Sequence, residues 1–239
     1  MEYILHLFSI NTIFFTFWDY QMSYIEFFGT IFSIVCVWLT ARAKVWNWPV
    51  GIVGTFLFLM LFYQIHLYSD MVEQAYFLVT GFVGWYAWTR IKKPSQLDST
   101  NSQEQKLTIS YSSVKELIKY GVIILGGTFL LTYCVSNFDN WLPQYFPAEA
   151  TFAFIDSFTT VMSFMAQYLL IRKKIESWII WIIVDVIGIW LYWVKGVRFI
   201  SLEYVLFLFI ASYGLWGWIK EYRVTNTKTN AHEPIATQI

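Results

Sequence analysis

The sequence predicts an all-α membrane protein: seven transmembrane helices in a 3+1+3 parallel-repeat arrangement, with a possible extra N-terminal helix. Three observations predict it. Of 239 residues, 57% are hydrophobic, 21% aromatic and only 13% charged, against roughly 25% charged in soluble domains. Residues 24–90 lie over residues 154–220 without a gap, at an offset of 130 positions. Basic residues cluster mainly at alternate ends of the apolar stretches.

The repeat is read from paired positions. Ile25 falls on Ile155, Ser33 on Ser163, Leu39 on Leu169, Arg42 on Arg172 and Lys44 on Lys174. Trp48 falls on Trp178, Glu73 on Glu203, Phe77 on Phe207, Gly84 on Gly214 and Trp88 on Trp218. Each block is nearly all apolar. A membrane protein of two like halves suggests a path between them, and so a carrier.

In chain order, residues 1–20 are apolar and lack the Lys or Arg of a secretory signal. They are expected to form an interfacial or extra helix. A span needs about 20 mostly apolar residues. Seven stretches qualify: 24–40, 45–65, 71–89, 114–135, 154–171, 175–194 and 202–219. The first three form one repeat (24–90) and the last three the other (154–220). Residues 114–135 form a linking transmembrane helix. Residues 94–113, rich in Ser, Gln, Asn and Lys, read as a solvated cytoplasmic linker, and 223–239 as a polar cytoplasmic tail.

Charge sets the expected orientation. Arg42 and Lys44; Arg90, Lys92 and Lys93; Arg172, Lys173 and Lys174; and Lys220 and Arg223 all fall on one side. The positive-inside rule makes that side cytoplasmic, with the C-terminus. Only Lys195 and Arg198 interrupt the opposite side. Three spans per repeat is odd, so a fourth span between them makes the repeats parallel. The implied location is the plasma membrane, or the inner membrane of a two-membrane cell.

Asp185 is the conspicuous chemical group. It lies near the middle of its span, where a carboxylate costs about 2.5–3.5 kcal/mol on insertion scales. Trp178, Trp181, Asp185, Gly188 and Tyr192 share one helical face. That face suits a flat organic cation: the carboxylate pairs with its charge and the indoles stack on its rings. The alternative is a protonated Asp185 bonded to a neighbouring helix. The matching face of the first repeat carries Trp48, Gly51 and Thr55 and no charge. Glu73 and Glu203 head a second repeated stripe, as interface charges or as walls of a site. Gln74 and Tyr204, beside them, are candidate ligand hydrogen-bonders.

Several classes are not supported. Net charge is zero, which gives no sign of nucleic-acid binding. Cys36 and Cys134 sit in apolar runs and read as small hydrophobes. No Cys/His cluster is spaced for a metal, and no nucleophile motif or Walker loop is present. Neither a cofactor nor an enzymatic activity is expected.

The chain resembles the PnuC family of vitamin transporters. The carrying pieces are Phe62-Tyr63-Gln64-Ile65-His66-Leu67-Tyr68, Gln74 and Gly84-Trp85-Tyr86-Ala87-Trp88, then Asp156-Ser157, Arg172-Lys173, Trp178 with Trp181, and Ser201-x-Glu203-Tyr204. The resemblance implies the same 3+1+3 build, facilitated diffusion with trapping by a cytoplasmic kinase, and a homotrimer. Nicotinamide riboside carriers of the family look like Trp-x-x-x-Asn where this chain has Trp181-x-x-x-Asp185. On that departure the chain is most like the thiamine-transporting (PnuT-type) branch. Thiamine is therefore the expected ligand and nicotinamide riboside the alternative. A membrane vitamin sensor without transport is the rival of another class. The expected contacts are Asp185, Trp181, Trp178, Gln74, Glu203, Tyr204, Trp48 and Tyr192.

Overall fold

The computed structural model describes residues 8–17, 20–65, 68–90, 107–141, 144, 152–196 and 198–231. A two-stranded antiparallel hairpin, β1 (Ile13–Phe17) and β2 (Tyr20–Ser23), precedes the helices. Seven long helices follow: α1 (Tyr24–Ala41), α2 (Asn47–Gln64), α3 (Tyr68–Thr89), α4 (Val114–Val135), α5 (Ala153–Ile171), α6 (Glu176–Val194) and α7 (Arg198–Ala231). A single helical turn, Phe138–Trp141, follows α4.

Six of the long helices are long and apolar enough to cross a membrane. The exception is α3. Its 22 residues reach about 33 Å at 1.5 Å per residue, but Asp70, Glu73 and Gln74 crowd its first two turns and dilute its apolar character.

Caps set several boundaries. The Ser23 side chain accepts from the Glu26 N–H at 3.4 Å and starts α1. A reciprocal Ser113–Glu116 capping box starts α4. The α1 and α5 ends are the same turn built twice. Ala43 and Lys173 both have positive φ, 50° and 52°. Lys44 N–H bonds Leu39 O at 3.0 Å, and Lys174 N–H bonds Leu169 O at 2.9 Å. This is a Schellman-type ending with a non-glycine residue in the left-handed position.

Successive helices pack in order: α1 on α2, α2 on α3, α4 on α5, α5 on α6 and α6 on α7. The two groups meet where α1 touches α7 and where α3 touches α5. The repeat offset exchanges these two contacts, because α1 corresponds to α5 and α7 to α3. At the end carrying Arg42 and Arg172 (the basic end), an apolar cluster gathers Trp48, Trp88, Trp178 and Trp218. Two glycines make room for it. A Cβ on Gly84 would stand 2.2–2.5 Å from the Trp48 ring, and one on Gly214 2.8–2.9 Å from the Trp178 ring.

Three expectations need correction. Within residues 1–20, Ile13–Phe17 and Tyr20 are strand, not helix; residues 1–7, 18 and 19 lie outside the described residues. Gln64 at the end of α2 anchors this segment, accepting from Ile10 N–H at 3.1 Å and donating to Phe8 O at 2.8 Å. The linker's last residues are docked, not solvated. Ile109 is buried in the tryptophan cluster, Ser110 bridges the α5–α6 turn, and Ser112 N–H donates to Glu176 Oε1 at 2.8 Å. Residues 94–106 lie outside the described residues. The start of the tail is a continuation of α7, which runs unbroken to Ala231 because no glycine or proline interrupts residues 219–231. Residues 232–239 lie outside the described residues.

Candidate functional site

The site is built where α3, α6 and α7 converge. Asp185 is the central residue of α6, 3% exposed. It makes no hydrogen bond or ion pair with another described residue. One turn on, Gly188 lets Tyr204 of α7 approach; a Cβ there would stand 2.6–3.0 Å from the Tyr204 ring. Tyr204 in turn stacks on Tyr192 of α6, with centroids 5.3 Å apart and planes 19° from parallel. The Tyr192 hydroxyl donates to Asp70 Oδ1 of α3 at 2.8 Å. Trp181 is partly buried, with its ring centroid 6.0 Å from that of Phe77 in α3.

The convergence of these helices is acidic. Tyr204 lies within electrostatic reach of Asp70, Glu73, Asp185 and Glu203. The base Lys195 is committed to Asp156 at 2.7 Å. Against α5, Glu73 accepts from Thr160 Oγ1 at 3.4 Å, and Tyr76 donates to Phe164 O at 3.1 Å. Unpaired negative charge beside aromatic faces can hold an organic cation by charge and by stacking. Among the described residues no group of His, Cys, Asp or Glu is arranged for a metal ion.

The expected residues divide. Asp185, Trp181, Tyr192 and Tyr204 come together. Gln74 is half-buried on α3 and makes no hydrogen bond with another described residue. Trp178 (1% exposed) and Trp48 (3%) were expected to stack on the ligand; they pack instead in the tryptophan cluster, filling the notches at Gly214 and Gly84. The reason is position: both lie in the first turn of their helices, beside the basic end. Glu203, though within electrostatic reach of Tyr204, lines a cavity with Tyr20 and Glu26 in which Tyr204 and Asp185 take no part. There Tyr20 donates to Glu26, and burial together with that carboxylate holds the Tyr20 phenol above its usual range.

Sequence reasoning missed Asp70, Thr160 and Glu26. Asp70 was detectable, since it precedes Glu73 by three residues and shares its helical face. Thr160 carries no local signal and matters only because α5 lies against α3.

The chain is similar to several known transporters. It is 29% identical over 230 residues to the nicotinamide riboside transporter PnuC of Escherichia coli (strain K12), covering 89% of this chain and 92% of that protein. It is 23% identical over 209 residues to the riboflavin/roseoflavin transporter RibM of Streptomyces davaonensis, covering 87% and 91%. The crystal structure of the vitamin B3 transporter PnuC has the same fold, with a TM-score of 0.63 at 22% identity over 84% of this chain and 82% of that one. These relatives are named for nicotinamide riboside, vitamin B3 or riboflavin, so the expectation of a thiamine branch gains no support from them. The family model described as nicotinamide mononucleotide transporter matches residues 23–220, and this multi-pass membrane chain therefore belongs to that transporter family, the PnuC family.

Proposed function

We propose that the protein carries a cationic vitamin of the nicotinamide riboside class across the membrane by facilitated diffusion. The observation that carries this is Asp185, a buried mid-span carboxylate with no partner among the described residues. A pyridinium nucleoside supplies the missing positive charge and a flat ring for Trp181 and Tyr204. Its polar groups would meet Gln74 and the acidic α3 edge. The names of the relatives support this choice over thiamine.

The same proposal includes the 3+1+3 build with parallel repeats, the basic end and C-terminus in the cytoplasm, a homotrimer, and trapping by a cytoplasmic kinase. The exchange of α1–α7 and α5–α3 contacts under the repeat offset supports the two-unit build. Rocking of one three-helix unit against the other would alternate access.

Uptake of labelled nicotinamide riboside into proteoliposomes, without any ion gradient, tests the reading. Uptake should reach equilibrium, and unlabelled nicotinamide riboside should compete better than thiamine or the neutral riboflavin. Asp185→Ala should lower the uptake kcat/KM about tenfold or more, since a bond to a charged group contributes about 1.5–3 kcal/mol. Thiamine uptake with none of nicotinamide riboside, or full activity in Asp185→Ala, would overturn it.

A further inference from the structure

The cavity that Glu203 lines has a volume of about 220 Å3 and lies between the β-hairpin, α1, α2 and α7. Asp185 is not among its lining residues. Its walls include two carboxylates, Glu26 and Glu203, and neither Lys nor Arg. Glu203 is 7% exposed and its Oε1 has no hydrogen-bond partner; Thr30, 8% exposed, leaves its Oγ1 equally unpartnered. Leaving such buried groups unpaired is costly, about 1–3 kcal/mol each and more for a charged one. The nearby bases are turned elsewhere: Arg198 lies over the Trp193 ring and Lys195 pairs with Asp156.

The repeat shows what these groups do when nothing separates them. Under the 130-residue offset, Thr30 corresponds to Thr160 and Glu203 to Glu73. At the α3–α5 seam, Thr160 donates to Glu73 at 3.4 Å. At the α1–α7 seam the equivalent pair stands apart across an open space, and neither member has found a partner. One seam is closed on itself and the other is held open.

We propose that this open seam is a second binding site, for a small planar organic cation. The charge follows from two carboxylates without a counter-ion. The planarity follows from the wall formed by Tyr20 and Phe199, stacked 5.4 Å apart at 12°, with Phe58 on another side. A bare metal ion does not fit: no group of three or more acidic, His or Cys residues converges among the described residues, and the space holds several times the roughly 30 Å3 share of one water. The hairpin and α7 place this site at the end opposite the basic end. It is a staging site, where the cation halts before reaching Asp185. Its ligand class rests on the cation reading of Asp185, while the cavity and its unpartnered groups do not.

Calorimetric titration of the full chain in detergent with 1-methylnicotinamide, a pyridinium cation without a ribose, tests it. Two binding events are expected. Glu203→Gln should weaken one at least tenfold and leave the other intact, which also shows that the variant is folded. Glu26→Gln should weaken the same event. Asp185→Ala should remove the other event and spare the Glu203-dependent one. A Glu203-dependent event with no Asp185-dependent one supports the second site and sinks the transport-site reading. The proposal is overturned if both glutamate variants bind as the parent does, if the parent shows one event that Asp185→Ala alone abolishes, or if no binding occurs up to millimolar probe.

Discussion

A hydroxyl on α6 and a carboxylate on α3 join the two helix groups at one point, through the Tyr192–Asp70 hydrogen bond of 2.8 Å. Tyr192→Phe removes the donor and leaves Asp70 without it. A bond to a charged group contributes about 1.5–3 kcal/mol, so the variant should show a lower apparent Tm in detergent. Gly188 is the second sensitive residue. A methyl there collides with the Tyr204 ring, and Tyr204 must shift away from α6. Gly188→Ala should raise the substrate Kd about tenfold in tryptophan-fluorescence titration while the helix content by circular dichroism stays unchanged. Both effects depend on contacts between helices. Periodicity placed Asp185, Gly188 and Tyr192 on one face, but it did not indicate that Tyr204 and Asp70 cover that face.

Among the helices, the paired glycine–tryptophan notches are the main packing device. The Gly84 notch is the tighter, at 2.2–2.5 Å against 2.8–2.9 Å for Gly214. Overpacking a core costs about 1–3 kcal/mol. Gly84→Ala should therefore lower Tm more than Gly214→Ala. Gly121→Ala on α4, where a Cβ meets nothing within 4 Å, should leave it unchanged or raise it. The repeated turn gives a complementary case. Ala43 sits at φ 50°, where an L-residue is strained by about 1–2 kcal/mol, so Ala43→Gly should raise Tm. Lys173→Gly should not, because the Lys173 ammonium lies 4.5 Å over the Trp88 ring and that contact would go.

For the whole molecule, transport by rocking requires the α1–α7 and α3–α5 seams to change. Trp38 of α1 and Tyr213 of α7 stack across the first seam, with centroids 5.2 Å apart. A short thiol-reactive cross-linker joining Trp38→Cys to Tyr213→Cys should abolish flux in proteoliposomes and preserve ligand binding in detergent. Either variant with one of the two introduced cysteines should keep its flux with the same reagent, all variants being made with Cys36 and Cys134 replaced by Ala. Unimpaired flux through the cross-linked protein would rule out motion at this seam.

The sequence by itself determined seven long helices, their order, the register of like positions at an offset of 130, and a carboxylate at mid-span. These are properties of composition and of short periods along one chain, so they are legible without contacts. Tertiary structure alone decided how far each aromatic is drawn into the core. Trp178 and Trp181 stand three residues apart on one face; the first is fully buried in the notch at Gly214, while the second packs partly buried against the same cluster and also meets Phe77. It alone also gave Glu203 a cavity in which Tyr204 takes no part, and closed one seam while leaving the other open. Each of those outcomes depends on what a distant helix presents at that point, and no local pattern carries that information.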